Sequence, residues 1–121
     1  MEARIKNASA MPSISEGRIQ AQILQFLAFR GVFAWRNHSV GVYDQQKGIL
    51  RKSTGLGSMR GVPDILGVLE DGRMLAIEVK SRSGRVSIHQ AKFIEEATKL
   101  GALAFVARSI EDVQKALAKK P

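Results

Sequence analysis

The charged side chains of Asp64, Glu78 and Lys80 lie at the ends of two apolar runs in this 121-residue chain. The runs are joined by a segment that contains Asp71-Gly72, and Asp-Gly between two apolar runs is typical of a β-hairpin turn. Folding the hairpin at this point brings Asp64 to within about one residue of the position opposite Glu78. The spacing therefore predicts that two carboxylates and one ammonium group converge.

Two neighbouring carboxylates in a basic protein predict a site for a hard divalent cation. Mg²⁺ prefers oxygen ligands and usually takes one or two carboxylates, several waters and a substrate phosphate. The backbone carbonyl of Val79 would be a further ligand. Such an ion lowers the pKa of a bound water and neutralises the charge that develops when a phosphodiester is hydrolysed. Lys80 would lie near the scissile phosphate, as an electrostatic stabiliser or as a proton acceptor.

The strand that ends in Glu78 and Lys80 is apolar on both faces, which predicts a central position in its sheet. Alternate residues of a strand share a face, so the two charged side chains lie on the same face. Gly61 and Pro63 predict an irregular entry into the preceding strand, and this places Asp64 at the rim of the ladder.

Helical and strand patterns alternate around this hairpin. Helical spacing between cap serines and stop glycines predicts helices at about 14–30, from Ser87 to Leu100, and from Ser109 onward. Short strands are predicted at 32–36 and 102–107, with possible pieces at 40–43 and 49–52. The residues predicted to face inward are Ile19, Ile23, Phe26 and Leu27 in the first helix, Phe93, Ile94, Ala97 and Leu100 in the second, and Ile110, Val113 and Leu117 in the third.

A hairpin followed by a strand-helix-strand crossover predicts an α/β fold with a mixed central sheet flanked by helices. The length and the 45% hydrophobic content predict a single domain with one core over residues 13–121. Residues 1–12 are unpatterned and end at Pro12, so they are predicted to form a flexible N-terminal arm.

The composition excludes several classes of protein. No cysteine is present, which removes disulfides, thiolate zinc sites and cysteine nucleophiles, and two histidines are too few for an all-histidine metal site. No apolar stretch approaches the roughly 18 residues of a membrane span, and the first residues have no hydrophobic segment of a signal peptide. A soluble protein of the cytoplasm is therefore predicted.

The chain carries a net charge of +8, with 19 Lys and Arg against 11 Asp and Glu. Residues 1–60 hold nine basic and three acidic side chains, so most of the excess lies in this half. A basic surface favours a polyanionic partner such as nucleic acid, although it also serves solubility alone. The residues predicted to contact DNA are Arg36, Lys47, Arg51, Lys52 and Arg60, together with Arg82 and Arg85 after the lysine motif.

The segment Gly61-Val62-Pro63-Asp64, followed fourteen residues later by Glu78-Val79-Lys80, resembles the signature of the PD-(D/E)xK nucleases. With Glu16 in the first helix and Gln90 in the second, the chain resembles the VRR-NUC branch from about Ser13 to Val113. The resemblance is to compact stand-alone members associated with phages. It implies a restriction-endonuclease-like core around the mixed sheet.

This resemblance also implies a set of roles. Asp64, Glu78 and the Val79 carbonyl would bind Mg²⁺ or Mn²⁺, and Lys80 would be the catalytic lysine. Glu16 would bind the metal through a water, and Gln90 would orient the site beside Lys80. Stand-alone members resemble Holliday-junction resolvases and act as homodimers, which implies a structure-selective endonuclease acting on branched DNA.

Simpler interpretations of the same residues remain open. Glu16 would close a capping box with Ser13, and Gln90 would do so with Ser87. Asp64 would be a turn residue after Pro63. The remaining alternatives are a surface ion pair for Glu78 and Lys80 on an edge strand, a buried Trp35 beside a solvated Arg36, a flap or nicking nuclease of the same fold, and a basic DNA-binding module without catalysis.

Overall fold

The computed structural model describes residues 14–38, 42–44, 49–51 and 59–119, the two short segments by their backbone alone. Within these ranges the helices are α1 (Glu16–Phe29), α2 (Ile88–Lys99) and α3 (Ile110–Leu117). The strands are β1 (Phe33–Arg36), β2 (Val42–Asp44), β3 (Ile49–Arg51), β4 (Ile65–Val68), β5 (Met74–Val79) and β6 (Leu103–Ala107). The predicted arm, residues 1–12, lies outside the described residues, as does Ser13.

The predicted hairpin forms between β4 and β5. Ile65 pairs with Ile77 and Val68 with Met74 in an antiparallel ladder. The turn is fixed by the amide of Gly72, which donates to the carbonyl of Leu69 at 2.8 Å. Because Asp64 immediately precedes the Ile65 pair, this register places it directly opposite Glu78.

The main sheet has the strand order β1-β4-β5-β6. β1 is antiparallel to β4, and β5 is parallel to β6, with α2 in the connection between the parallel strands. The mixed α/β sheet with flanking helices is thus confirmed. β5 lies in the interior of the sheet and is buried from Leu75 to Val79, so an edge-strand ion pair for Glu78 and Lys80 is excluded.

One face of the sheet packs against α1 and α3. Ile19, Ile23 and Leu27 of α1 are buried as predicted, and Phe26 is partly buried against them. From α3, Val113 completes this core. Sheet residues that face it are Ile65, Leu75, Ile77, Val79 and Ala107. The core therefore fixes the strand ends that carry the predicted site.

The helix ends depart from two predictions. Ser15 caps α1 and accepts a hydrogen bond from the amide of Arg18, so Glu16 is the first helical residue and does not close a capping box. Leu100 is 89% exposed, although it was predicted to face inward. Its position explains this, because α2 ends at Lys99 and Leu100 is the cap residue beyond the last turn.

Two smaller observations complete the fold. β2 and β3 pair antiparallel in a separate two-stranded sheet, which confirms that the pieces predicted at 40–43 and 49–52 contain strands. None of the helices in the described part of the chain has the length and apolar character needed to span a lipid bilayer.

Candidate active site

Asp64 and Glu78 face each other at the ends of β4 and β5. The Oδ2 atom of Asp64 accepts a hydrogen bond of 2.8 Å from the amide of Val79. This bond links the strand entry to the residue after Glu78, and it requires the Asp64 carboxyl to lie across the hairpin. The convergence predicted from the turn position is therefore present in the fold.

Glu78 is the polar residue that the described part of the chain buries most, with 2% of its surface exposed. The pKa of Glu78 is raised to about 8, mainly by burial and then by the hydrogen bond and charge of Asp64. Lys80 acts in the opposite direction, since a neighbouring cation favours the carboxylate. At neutral pH Glu78 therefore holds a proton unless a cation replaces it.

Lys80 and Glu16 complete the cluster from different elements. The amide of Lys80 donates to the carbonyl of Ala107 at 3.1 Å, so its backbone continues the ladder with β6. Glu16 is partly buried at the first turn of α1 and its charge also raises the pKa of Glu78. Both side chains approach Gly84, where an added Cβ would lie 3.1 Å from Glu16 Oε2 and 3.4 Å from Lys80 Cδ.

Gln90 takes part in the capping box of α2. Its side-chain oxygen accepts from the amide of Ser87 at 2.9 Å, and its own amide donates to Ser87 Oγ at 3.1 Å. The capping interpretation of Gln90 is thus confirmed, and it is compatible with a second role. The backbone of Gln90 also lies against Gly61 of the segment that precedes Asp64.

Gly61 is required by both its conformation and its contacts. Its φ is +75°, and a Cβ at this position would overlap the backbone of His89 and Gln90. Gly31, with φ +73°, has no heavy atom within 4 Å of such a Cβ. A side chain at Gly31 would therefore cause backbone strain but no steric overlap. A side chain at Gly61 would disrupt the close packing of this segment on α2.

We expect Gly61→Ala to lower the free energy of unfolding by about 3 kcal/mol or more, because left-handed strain and overpacking add. Gly31→Ala should lower it by only about 1 kcal/mol, since strain acts alone. Chemical denaturation followed by circular dichroism measures both variants. Equal losses in the two variants would show that the contact between Gly61 and α2 is unimportant.

The carboxylates suit an open site for a hard divalent cation, in which water supplies the other ligands, better than a site closed by protein ligands alone. In the described ranges, no three acidic or histidine side chains are gathered closely enough to hold a metal ion together. The facing carboxylates of Asp64 and Glu78 nevertheless match the one or two that Mg²⁺ usually takes, with water completing its shell. A cation would also take the place of the proton that Glu78 otherwise holds at neutral pH.

Comparison with known proteins agrees with this geometry. The family model of the VRR-NUC domain matches residues 14–111. The chain belongs to the VRR-NUC domain family. This makes it a nuclease domain of the PD-(D/E)xK type, for which DNA is the substrate. Nucleases of this family generally depend on a divalent metal.

Two solved structures share the VRR-NUC fold. A VRR-NUC domain is 23% identical, with a TM-score of 0.60, covering 89% of this chain and 100% of its own. A VRR-NUC domain protein is 20% identical, with a TM-score of 0.54, covering 88% of this chain and 87% of its own. No curated protein matches the chain. At these identities the structures establish the fold alone.

Four of the seven basic residues predicted to contact DNA have side chains that the structure describes. Arg36, Arg60, Arg82 and Arg85 are exposed. Arg36 pairs with Ile65, next to Asp64, and Trp35 is 44% exposed, so the interpretation of a buried tryptophan is wrong. Lys47 and Lys52 lie outside the described residues, and the side chain of Arg51 is likewise not described.

Asn37 was missed by the sequence reasoning as a residue that holds this site. Its amide donates to the carbonyl of Asp64 at 2.7 Å, and its side-chain Nδ2 donates to the carbonyl of Pro63 at 3.2 Å. These bonds fix the rim position of Asp64 from the neighbouring strand. No local pattern marks Asn37, because its partners lie 26 and 27 residues further along the chain.

Proposed function

We propose that this VRR-NUC protein is a metal-dependent, structure-selective endonuclease that hydrolyses phosphodiester bonds in branched DNA, as a Holliday-junction resolvase does. The observation that carries the proposal is the buried Glu78 opposite Asp64, with Lys80 directly after the end of β5. Burying one acid beside a second acid lowers the stability of the folded protein, so such a pair indicates a functional site. The family supplies the nuclease chemistry, and the arrangement supports these residues as its site.

Asp64, Glu78 and the carbonyl of Val79 would hold Mg²⁺ or Mn²⁺. The bound ion would supply Lewis-acid stabilisation of the phosphate and a water of lowered pKa. Lys80 would stabilise the charge that develops on the scissile phosphate, because it follows Glu78 by two residues and so lies on the same face of the extended chain. Glu16 would orient a water from the first turn of α1, and Gln90 would support the site beside Lys80 from the start of α2.

The charge of the chain suits this assignment. The net charge of +8 attracts the DNA backbone over a long range, while Glu16, Asp64 and Glu78 concentrate acidic groups at the immediate site. A cation relieves this local repulsion and lets a phosphate approach. We propose that Arg36, Arg60, Arg82 and Arg85 bind phosphates around the site, as do Lys47, Arg51 and Lys52.

Selectivity for branched DNA would follow from a homodimer acting inside the cell. Two copies would present two active sites, one for each of two strands of a four-way junction. A flap or nicking nuclease would need only one site. Light scattering of the purified protein should therefore give twice the mass of 13.2 kDa. A monomer would argue for the flap or nicking activity instead.

Cleavage assays test the proposal directly. Labelled four-way junction, flap and linear duplex are incubated with the protein in Mg²⁺, Mn²⁺ or EDTA. We expect cutting of the junction with either metal and none in EDTA. Cutting that persists in EDTA would contradict the metal mechanism, and binding without cutting in both metals would leave a basic DNA-binding module.

Asp64→Asn should weaken Mn²⁺ binding at least roughly ten-fold, since even outer partners of metal ligands contribute that much. Asparagine retains an oxygen that can accept the amide of Val79, so folding should be unaffected. Isothermal titration calorimetry measures the affinity in the absence of DNA.

Asp71→Asn is the matched control for this measurement. Asp71 also accepts a backbone amide, that of Arg73 at 3.1 Å, but it lies at the turn end of the same hairpin. Its variant should bind Mn²⁺ as the wild type does. Unchanged Mn²⁺ affinity in Asp64→Asn would remove Asp64 from the ligand set.

A further inference from the structure

The guanidinium group of Arg108 lies against the loop that follows Lys80. Its Nη1 atom donates to the carbonyls of Ser81 at 2.6 Å and Gly84 at 2.8 Å, with a longer contact of 3.4 Å to the carbonyl of Arg82. One nitrogen thus contacts three backbone carbonyls within a segment of four residues. Hydrogen bonds from a charged donor are stronger than neutral ones, so this loop is held from one point.

The loop held by Arg108 packs directly on the candidate site. The amide of Gly84 donates to the carbonyl of Ser81 at 3.1 Å, which closes the turn. The α-carbon of Gly84 then faces Glu16 and Lys80, and even a Cβ at this position would be in tight contact with the Glu16 carboxylate. Any outward movement of the loop would open the space that separates these two side chains.

Arg108 is itself anchored at the end of β6. The carbonyl of the preceding residue, Ala107, accepts the amide of Lys80, and Ala107 is fully buried. The amide of Arg108 donates to Asp112 Oδ2 at 2.8 Å, within the first turn of α3. The guanidinium therefore connects the rigid end of the sheet to the loop after the catalytic lysine.

We propose that Arg108 is a positioning residue for this active site. It holds residues 81–84 so that Gly84 keeps Lys80 and Glu16 in their places. The inference rests on the proposed nuclease function, since only then does the placement of these side chains affect a rate. Both hydrogens of Nη1 are used by backbone carbonyls, so this nitrogen cannot also donate to a phosphate.

The test compares three variants of the full chain. Arg108→Met keeps the aliphatic stem and removes the donors, whereas Arg108→Lys keeps a charged donor. Lys115→Met removes the same charge from an exposed position on α3 and serves as the control. Each is assayed for hydrogen exchange of the Gly84 amide, for kcat on the cleaved DNA, and for the salt dependence of DNA binding in EDTA.

In Arg108→Met we expect faster exchange of the Gly84 amide, because the loop opens more often. We also expect kcat to fall roughly 10- to 100-fold, the effect of a displacement of about 1 Å at a reacting group. DNA affinity and its salt slope should stay at the wild-type values. Arg108→Lys should restore part of kcat, and Lys115→Met should match the wild type throughout.

Three results would overturn the proposal. Unchanged Gly84 exchange in Arg108→Met would show that the arginine does not hold the loop. Faster exchange with an unchanged kcat would show that the loop does not position the site. A salt slope reduced by about one would identify Arg108 as a phosphate contact. Failure of the wild type to cut any DNA would instead refute the proposed function, and Gly84 exchange would still decide whether Arg108 holds the loop.

Discussion

Replacing Lys80 by methionine is expected to reduce phosphodiester cleavage by about 1,000-fold, within the range for loss of a proton-transfer or charge-stabilising group. Methionine retains most of the aliphatic stem of lysine, so packing against Gly84 should persist. The backbone of Lys80 is held by the carbonyl of Ala107, which does not depend on the side chain. The variant should therefore fold and lose only the ammonium group.

The measurement is a single-turnover cleavage rate at saturating protein, paired with DNA affinity in EDTA. DNA affinity should change less than about two-fold, because one cation among 19 basic residues contributes little to overall attraction. Lys115→Met, which removes an exposed lysine from α3, should retain the wild-type rate. A rate within ten-fold of wild type in Lys80→Met would exclude Lys80 as the catalytic lysine.

The hairpin shows how far local pattern determines the site. Asp71-Gly72 fixes the turn, and the turn fixes the register because side chains alternate along each strand. This register places Asp64 opposite Glu78. The sequence alone predicts that position to within about one residue. The apolar character of both faces of β5 correctly predicts its interior position as well.

The positions of Glu16 and Arg108 could not be predicted in the same way. Glu16 reaches the site because α1 packs across the sheet, and its helical phase shows only that it shares a face with Ile19 and Ile23. Arg108 depends on contacts 24 to 27 residues away, and an arginine after a strand is ordinary in sequence. Tertiary packing determines both positions, so a pattern of local spacing carries no signal for them.

Helix ends limit the prediction of inward residues. Ser13 and Ser15 are both acceptable caps, and a shift between them decides whether Glu16 belongs to a capping box. Likewise, Leu100 falls on the apolar face of α2 by spacing, but the helix ends one residue earlier. Assignments at helix ends are therefore less certain than those in the interior, where Ile23 and Val113 are fully buried as predicted.

Glu78→Gln is expected to make the metal-free protein more stable at pH 8.5 and to remove a pH dependence that the wild type shows. Glu78 has a pKa of about 8 in the folded chain against 4.5 for an ordinary glutamate. Between these pH values the folded state binds more protons than the unfolded state, so the free energy of unfolding falls as pH rises. The stabilising contribution is complete below pH 4.5 and is lost as pH passes through 8.

The limiting slope for one such group is about 1.4 kcal/mol per pH unit. For a domain of this size, 1 kcal/mol corresponds to roughly 4 °C in Tm. We therefore expect the wild type in EDTA to lose on the order of 10–15 °C in Tm between pH 5.5 and 8.5 through this group. Glutamine imitates the protonated acid and cannot ionise, so Glu78→Gln should lack this component of the loss.

Thermal unfolding of both proteins across this pH range, in EDTA and in Mn²⁺, measures the effect. Glu70→Gln is the control, because Glu70 is an exposed acid in the turn of the same hairpin and its variant should follow the wild type. Mn²⁺ should raise the Tm of the wild type at pH 8.5 and not that of Glu78→Gln, since a cation that binds the folded state alone stabilises it. If Glu78→Gln loses as much stability as the wild type on going from pH 5.5 to 8.5, the buried proton is not held at Glu78. The case for Glu78 as the acid that exchanges a proton for a metal would then fail.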